Sequence, residues 1–387
     1  MMWLALASIV YGMLVSLDPI LFTYIGYTLN VTGVYLGLLS ATWSVAYILA
    51  SRVLNGVADE GKNRLLVLIS LMSLIVSYIC FTAVNHLTAI LSYTMHAISV
   101  ASMNLAVSVT MLENTDSELW TNIAALQKSL SSLSRGTVLL LLSLKTRLSI
   151  YNLFWLSFPL TVASMLMLPS ITLSFERRFY KLSRNVNEIG MYIRASSSIL
   201  FLDKPTTAHY IYTATWNTKG SVPLYRILIS IAMTTALGDY IFTVLPLILR
   251  SHLSLHTMWM AYGIAALLSS FMVILFRNLS TNRRGFALSV IVVRTCILTL
   301  GLSVVKDLTT LTTYIVLSSL LYMLIDTVLY NMFIEGSAGF STANYFVSRE
   351  LGSIIGSLVG GIVIGFGGDA FLIVAGAIGY AAPLFLL

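Results

Sequence analysis

The sequence predicts an all-α polytopic membrane protein, with twelve transmembrane helices arranged as two pseudo-symmetric six-helix bundles. Three observations predict it. Apolar residues make up 58% of the 387 residues and charged residues 10%, with a mean hydropathy of +0.89. A water-soluble chain of this size carries about a quarter charged residues. The apolar residues fall into runs of roughly 20, the length a helix needs to cross a ~30 Å hydrocarbon core. One long stretch, residues 173–223, is too polar to lie in hydrocarbon, and it divides the chain into halves 1–172 and 224–387.

The first half reads as spans near 3–25, 32–54, 65–85, 88–111, 121–143 and 149–172. The second half reads as spans near 224–248, 256–276, 286–305, 309–332, 341–365 and 369–387. Aromatic residues near several span ends, such as Trp120, Tyr151 and Trp259, fit the interfacial belt of membrane proteins. No basic segment precedes the first apolar run, so no cleavable signal peptide is expected.

Charge placement predicts orientation. With the N-terminus in the cytoplasm, the loops on that side hold Arg52, Lys62, Arg64, Lys128, Arg277, Arg283, Arg284, Arg349 and the basic connector. The opposite loops hold Lys145, Arg147, Arg250 and Lys306. This asymmetry follows the positive-inside rule and places both termini in the cytoplasm of a cell-membrane protein. The net charge of +7 is therefore read as a topology signal, and no nucleic-acid partner is expected. Within the connector, Phe175, Phe179, Leu182, Val186, Ile189 and Ile193 recur at spacings of four and three. Arg177, Arg178, Lys181 and Arg184 lie off that stripe. The pattern is a basic amphipathic helix, suited to lipid headgroups or to the cytoplasmic ends of the spans. Residues 199–216 read as a short hairpin.

The halves repeat one another. The segment 127–136 aligns with 348–357, pairing Lys128 with Arg349 and Ser132 with Ser353. Glu113 pairs with Glu335, and Asp18 with Asp239. Repeats of this kind around a midplane site recur in transporters.

Charges inside spans are costly and default to functional hypotheses. Five qualify: Asp18, Arg135, Asp239, Asp326 and Arg294. Asp18 precedes Pro19, whose ring removes one helix hydrogen bond. Asp18 and Asp239 fall near mid-depth, where a carboxylate exchanges a proton as a cavity opens and closes. The alternative is a static buried ion pair between the halves. Arg135 is a candidate to bind an anionic group or to pair with Asp18. Asp326 lies nearer the cytoplasmic end. His96 reads as a core histidine satisfied by a neighbour. Gly352, Gly356 and Gly360 recur every four residues, a spacing that suits close helix packing or a sliding contact between halves.

The loop from Asn55 to Arg64, with Asp59, Gly61, Lys62 and Arg64, resembles the signature loop of the major facilitator superfamily. It is one residue short between Asp59 and Gly61, and Asn55 stands where a glycine is usual. With twelve spans, a long connector and the repeated glutamate–cation pairs, the resemblance covers the whole chain. It implies that the first, fourth, seventh and tenth spans line a central cavity and that the ninth, carrying Arg294, lies outside it. A packing or snorkelling role is then expected for Arg294. It further implies a gate in which Asp59 faces the start of the eleventh span while Lys62 and Arg64 meet acidic span ends such as Glu113. Lys128, Glu335 and Arg349 complete that gate.

The function expected is a secondary active transporter for a small organic solute, coupled to protons, with drug or metabolite efflux favoured. The mixed charges permit a zwitterionic or cationic solute. An uncoupled facilitator, a nutrient symporter and a non-transporting membrane sensor are the alternatives. No HExxH, GxSxG or Walker motif occurs, so no enzyme is expected. Cys80 and Cys296 lie in apolar runs of different halves, so no disulfide, metal or other cofactor is expected. The expected partners are solute, protons and membrane lipid, and the expected state is a monomer.

Overall fold

In hydrocarbon every backbone N–H and C=O must be satisfied within the chain, so apolar runs of this length close into helices. The computed structural model describes residues 2–114, 120–144, 149–169, 223–276, 283–337 and 342–387. The first half holds α1 (Met2–Thr28), α2 (Gly33–Asp59), α3 (Asn63–Thr82), α4 (His86–Asn114), α5 (Trp120–Ser143) and α6 (Ile150–Met167). The second holds α7 (Leu224–Leu249), α8 (Leu255–Phe276), α9 (Arg283–Gly301), α10 (Leu308–Ser337), α11 (Thr342–Val363) and α12 (Gly368–Leu384). Ten of these are long and apolar enough to cross a membrane. The two others are α12, with 17 residues, and α5, which carries Gln127, Lys128, four serines and Arg135 within ten residues. The polar side of α5 is explained below by what it lines.

Local chemistry sets the helix ends. The Thr32 hydroxyl accepts from the Tyr35 amide to start α2, and Ser149 does the same for α6 through Asn152. Asp307 starts α10 by accepting from the Thr310 amide at 2.8 Å. These are N-caps, which satisfy amides that lack a partner in the first turn. Between α2 and α3 the chain reverses at Gly61, whose φ of 70° is a left-handed conformation that glycine adopts without penalty.

In the first half α1 packs on α4, α5 and α6, while α3 and α2 pack on α4. In the second, α7 packs on α10, α11 and α12, and α9 packs on α10 and α12. Two seams join the halves, α2 against α11 and α5 against α8, and exchanging the halves turns one seam into the other. The α1–α5 contact brings Gly12 against the Ser131 carbonyl, and α7–α11 brings Gly352 against the Ala232 carbonyl. On α5 and α11 these contacts sit in the register of the Lys128–Arg349 pairing, and on α1 and α7 they fall within one residue of the Asp18–Asp239 register.

The glycine stripe of α11 packs within its own half. A β-carbon on Gly352, Gly356 or Gly360 would lie 2.1, 2.2 or 2.3 Å from a carbonyl oxygen of α7. The contact between halves on α11 is made instead by Ser357 and Gly361, against Gly33 and Gly37 of α2. Of the two readings of the stripe, the structure gives close packing, inside one half, and not the sliding contact between halves. Residues 170–222, with the connector's amphipathic helix and hairpin, lie outside the described residues, as do Lys145, Arg147 and Arg277. The side chains of Asp59, Glu113, Glu335 and Arg283 lie outside them as well.

Candidate functional site

A cavity of about 520 Å³ lies between the halves. Eight charged side chains line it. Asp18, Asp239, Asp326 and Glu350 are acidic; Lys128, Arg135, Arg294 and Arg349 are basic. The walls between them are aromatic and hydroxylated, with Trp43, Tyr93, Tyr262 and Tyr322 alternating with serines of α2, α5 and α11. All four residues expected in coupling or substrate contact (Asp18, Asp239, Asp326 and Arg135) line this one space, although they come from four different helices.

Three of the four acids are held by a hydrogen bond or an ion pair. Asp18 accepts a short hydrogen bond from the Tyr93 hydroxyl of α4. One turn along α4, His96 contacts the Leu14 carbonyl through Nε2 at 2.9 Å and accepts from Trp43 Nε1 at 3.4 Å. A carbonyl only accepts, so Nε2 carries the proton and His96 is a core histidine with both nitrogens used. Asp239 shares the cavity wall with Ser353. Ser353 in turn lies 3.0 Å from the Ser44 hydroxyl, a polar link between the halves across the α2–α11 seam. Asp326 accepts from the Tyr345 hydroxyl at 3.1 Å. Glu350 pairs with Arg349 at 3.0 Å.

Arg294 departs from the expectation that its span stays clear of the cavity. Its side chain is buried, with Nη1 donating to the Thr234 carbonyl at 2.7 Å and Nε to the Ser318 carbonyl at 3.3 Å. The guanidinium also covers the Tyr322 ring at 4.7 Å. Gly238 makes this possible: without a side chain there, the guanidinium reaches past α7 to the cavity wall. Packing is part of its role, as expected, but snorkelling to a membrane surface is not.

The signature loop lies apart from the cavity. Lys62 pairs with Glu60 at 2.6 Å, with both side chains about half exposed. Arg64 donates to the Leu168 carbonyl at the end of α6, at 3.2 Å. The sequence reading had these cations meeting acidic span ends; the structure gives them a neighbouring glutamate and a helix C-terminus. A cation is favoured there by the carbonyls that end the helix. Of the remaining gate candidates, Lys128 and Arg349 line the cavity.

Contacts between the halves concentrate at one end. Trp259 Nε1 donates to Thr23 Oγ1 at 2.8 Å, and Tyr27 donates to the Leu253 carbonyl at 3.0 Å. Arg250 donates to Asn30 at 3.1 Å, and Gly26 packs against Pro246. Towards the other end α2 loses contact: Val53 is 76% exposed and no atom lies within 4 Å of a β-carbon placed on Gly56. Lys128 is exposed on that side. Among the described residues, these contacts close the cavity beside the α1–α2 turn, and none of them recurs towards the α2–α3 turn.

No family model matches the sequence, and no curated protein matches it. Solved structures do. A peptide transporter POT aligns over 100% of this chain and 92% of its own, at 12% identity and a TM-score of 0.66. A POT family transporter in complex with a thioalcohol-conjugated peptide aligns over 98% and 94%, at 12% identity and 0.61. The human organic anion transporter MFSD10 (TETRAN) aligns over 100% and 97%, at 13% identity and 0.60. The chain has the major facilitator fold.

Within that fold, sequence reasoning missed Glu350. It stands directly after Arg349, in a segment read as a cytoplasmic cation opening a span, and the rule applied to Asp18 would have singled it out. The aromatic walls had no separate signal, because a tyrosine facing a cavity and one facing lipid look alike in an apolar run.

Proposed function

We propose that the protein is a secondary active transporter that moves a small organic solute by alternating access of the central cavity to the two membrane faces. One observation carries this: four acids and four bases from both halves line a single cavity sealed at one end. Charges at this depth cost several kcal/mol (~3 or more each) unless they are paired or used, and eight around one space argue for use. Peptide and organic-anion transporters share the fold, which supports a polar solute of modest size.

In this reading the halves 1–172 and 224–387 rock about the cavity, joined by 173–223. The face sealed by Tyr27, Arg250 and Trp259 is extracellular, as the distribution of basic loops suggests, and both termini are cytoplasmic in a cell membrane. Asp18 and Asp239 carry protons between the faces. Arg135 and Asp326 contact solute. Lys128, Arg349 and Glu335 close the inner side with Asp59, Gly61, Lys62, Arg64 and Glu113. Efflux of drugs or metabolites is the favoured direction.

Proteoliposomes with an imposed pH gradient test the coupling. Asp18→Asn and Asp239→Asn should abolish gradient-driven solute movement while leaving counterflow. The Tyr93 hydrogen bond favours a second reading, in which Asp18 is a fixed structural partner and the protein is an uncoupled facilitator. Counterflow without any gradient-driven movement in the wild type would select that reading, and gradient dependence unchanged in both variants would refute coupling at Asp18 and Asp239.

A further inference from the structure

Among the described residues, two of the cavity charges left without a partner stand on one helix. Three of the four acids are engaged: Asp18 by Tyr93, Asp326 by Tyr345 and Glu350 by Arg349. Two of the bases are engaged too. Arg349 has Glu350, and Arg294 is fixed by two backbone carbonyls and the Tyr322 ring. The other two, Lys128 and Arg135, make no ion pair among the described residues. Nε of Arg135 is buried with no hydrogen-bond partner.

Both stand on α5. Lys128, Ser132 and Arg135 are spaced by four and three residues, which puts them on one helix face, and all three line the cavity. Over seven residues the two cations are about 10 Å apart along the axis, within reach of one ligand for side chains of this length. A buried guanidinium N–H without an acceptor is costly, and a carboxylate or phosphonate removes that cost through charge-assisted bonds. This also accounts for the polarity of α5, which packing alone leaves unexplained.

We infer that this face of α5 is an anion-binding subsite, and that the minimal solute is an organic anion. A positive group on the solute would face Asp239 across the cavity. The inference rests on the transporter reading only for calling the ligand a solute; the site itself is a statement about binding.

Binding tests it, using the purified full-length chain in detergent near neutral pH. Three probes share one body: alanylalanine, N-acetyl-alanylalanine, which is only anionic, and alanylalanine methyl ester, which is only cationic. Titration followed by intrinsic tryptophan fluorescence, to which Trp43 in the cavity wall contributes, should rank the acetylated anion and the free dipeptide above the ester. Arg135→Gln should weaken both anionic probes roughly ten- to hundredfold, the size of a charge-assisted hydrogen bond, and leave the ester unchanged. Lys128→Gln should weaken them less, and Arg135→Lys should restore part of the loss. Without ligand, Arg135→Gln should melt no lower than wild type, since it removes a buried N–H that has no hydrogen-bond partner among the described residues. Equal binding of the three probes, binding of none, preference for the ester, or an Arg135→Gln protein that fails to fold would each overturn the assignment. Probes that are bound and discriminated but never cross a proteoliposome membrane would keep the site and remove the transporter reading.

Discussion

A β-carbon on Gly238 would lie 2.7 Å from Nη2 of Arg294, so the guanidinium fills the place where a side chain at 238 would stand. The two residues come from α7 and α9, and each makes sense only with the other. Gly238→Ala should push the guanidinium off the Thr234 and Ser318 carbonyls, costing about 1–3 kcal/mol of stability. In an Arg294→Gln background the same alanine should cost much less. Thermal midpoints of the four proteins form the cycle that measures this coupling. Equal cost in both backgrounds would place the penalty elsewhere.

The glycines of α11 give a second expectation with an internal control. Alanine at Gly352 or Gly356 would put a methyl group 2.1 or 2.2 Å from a carbonyl oxygen of α7, against backbone that has no rotamer to yield. Overpacking of this kind costs about 1–3 kcal/mol, seen as a lower thermal midpoint or yield. Gly56→Ala in α2 meets nothing within 4 Å and should be neutral or stabilising by up to ~1 kcal/mol.

The sealed end gives a third. Tyr27→Phe and Trp259→Phe each remove one hydrogen bond between the halves without changing packing volume much. Each bond is worth about 0.5–1.5 kcal/mol, so each variant should shift the balance towards opening on that face roughly two- to tenfold. Spin labels at positions 29 and 253, with Cys80 and Cys296 replaced, would report a larger population at long distance. An unchanged distance distribution in the double variant would mean that these bonds do not hold the seal.

Outside the membrane-spanning segments, Asp307 gives a pH signature. The Thr310 amide, followed by the Thr310 hydroxyl, holds its carboxyl below the usual carboxylate range. A group whose folded value is depressed contributes stability above its unfolded value and loses it as pH falls through the folded one. The stability gap between wild type and Asp307→Ala should therefore be full at neutral pH and shrink below about pH 4. Asp307→Asn, which keeps an acceptor, should show no such shrinkage.

Much of the fold was legible because hydrocarbon leaves few choices: an apolar run of about 20 residues must be a helix. The helix boundaries fall close to the expected spans, and the Asp18–Asp239 and Lys128–Arg349 pairings mark places that line one cavity. Legibility stopped where direction around a helix mattered. The stripe Gly352–Gly356–Gly360 announces a close approach, but not that its partner is α7 rather than α2. Arg294 announces a buried charge, but only Gly238 on another helix shows where it reaches. Glu350 was hidden beside Arg349 because neighbours in sequence were read as one piece of loop punctuation.

The sequence by itself determined that this chain is a multi-pass membrane protein, which runs form the helices of the described residues, and which intramembrane charges stand out as costly. Hydrophobicity and length are properties of each segment alone, so they survive without knowledge of neighbours. Tertiary structure decided which charges meet, that Lys128 and Arg135 share one cavity face with no ion pair among the described residues, and which end the contacts between halves close. Those facts depend on helix rotation and on contacts between residues far apart in the chain, and only packing sets them.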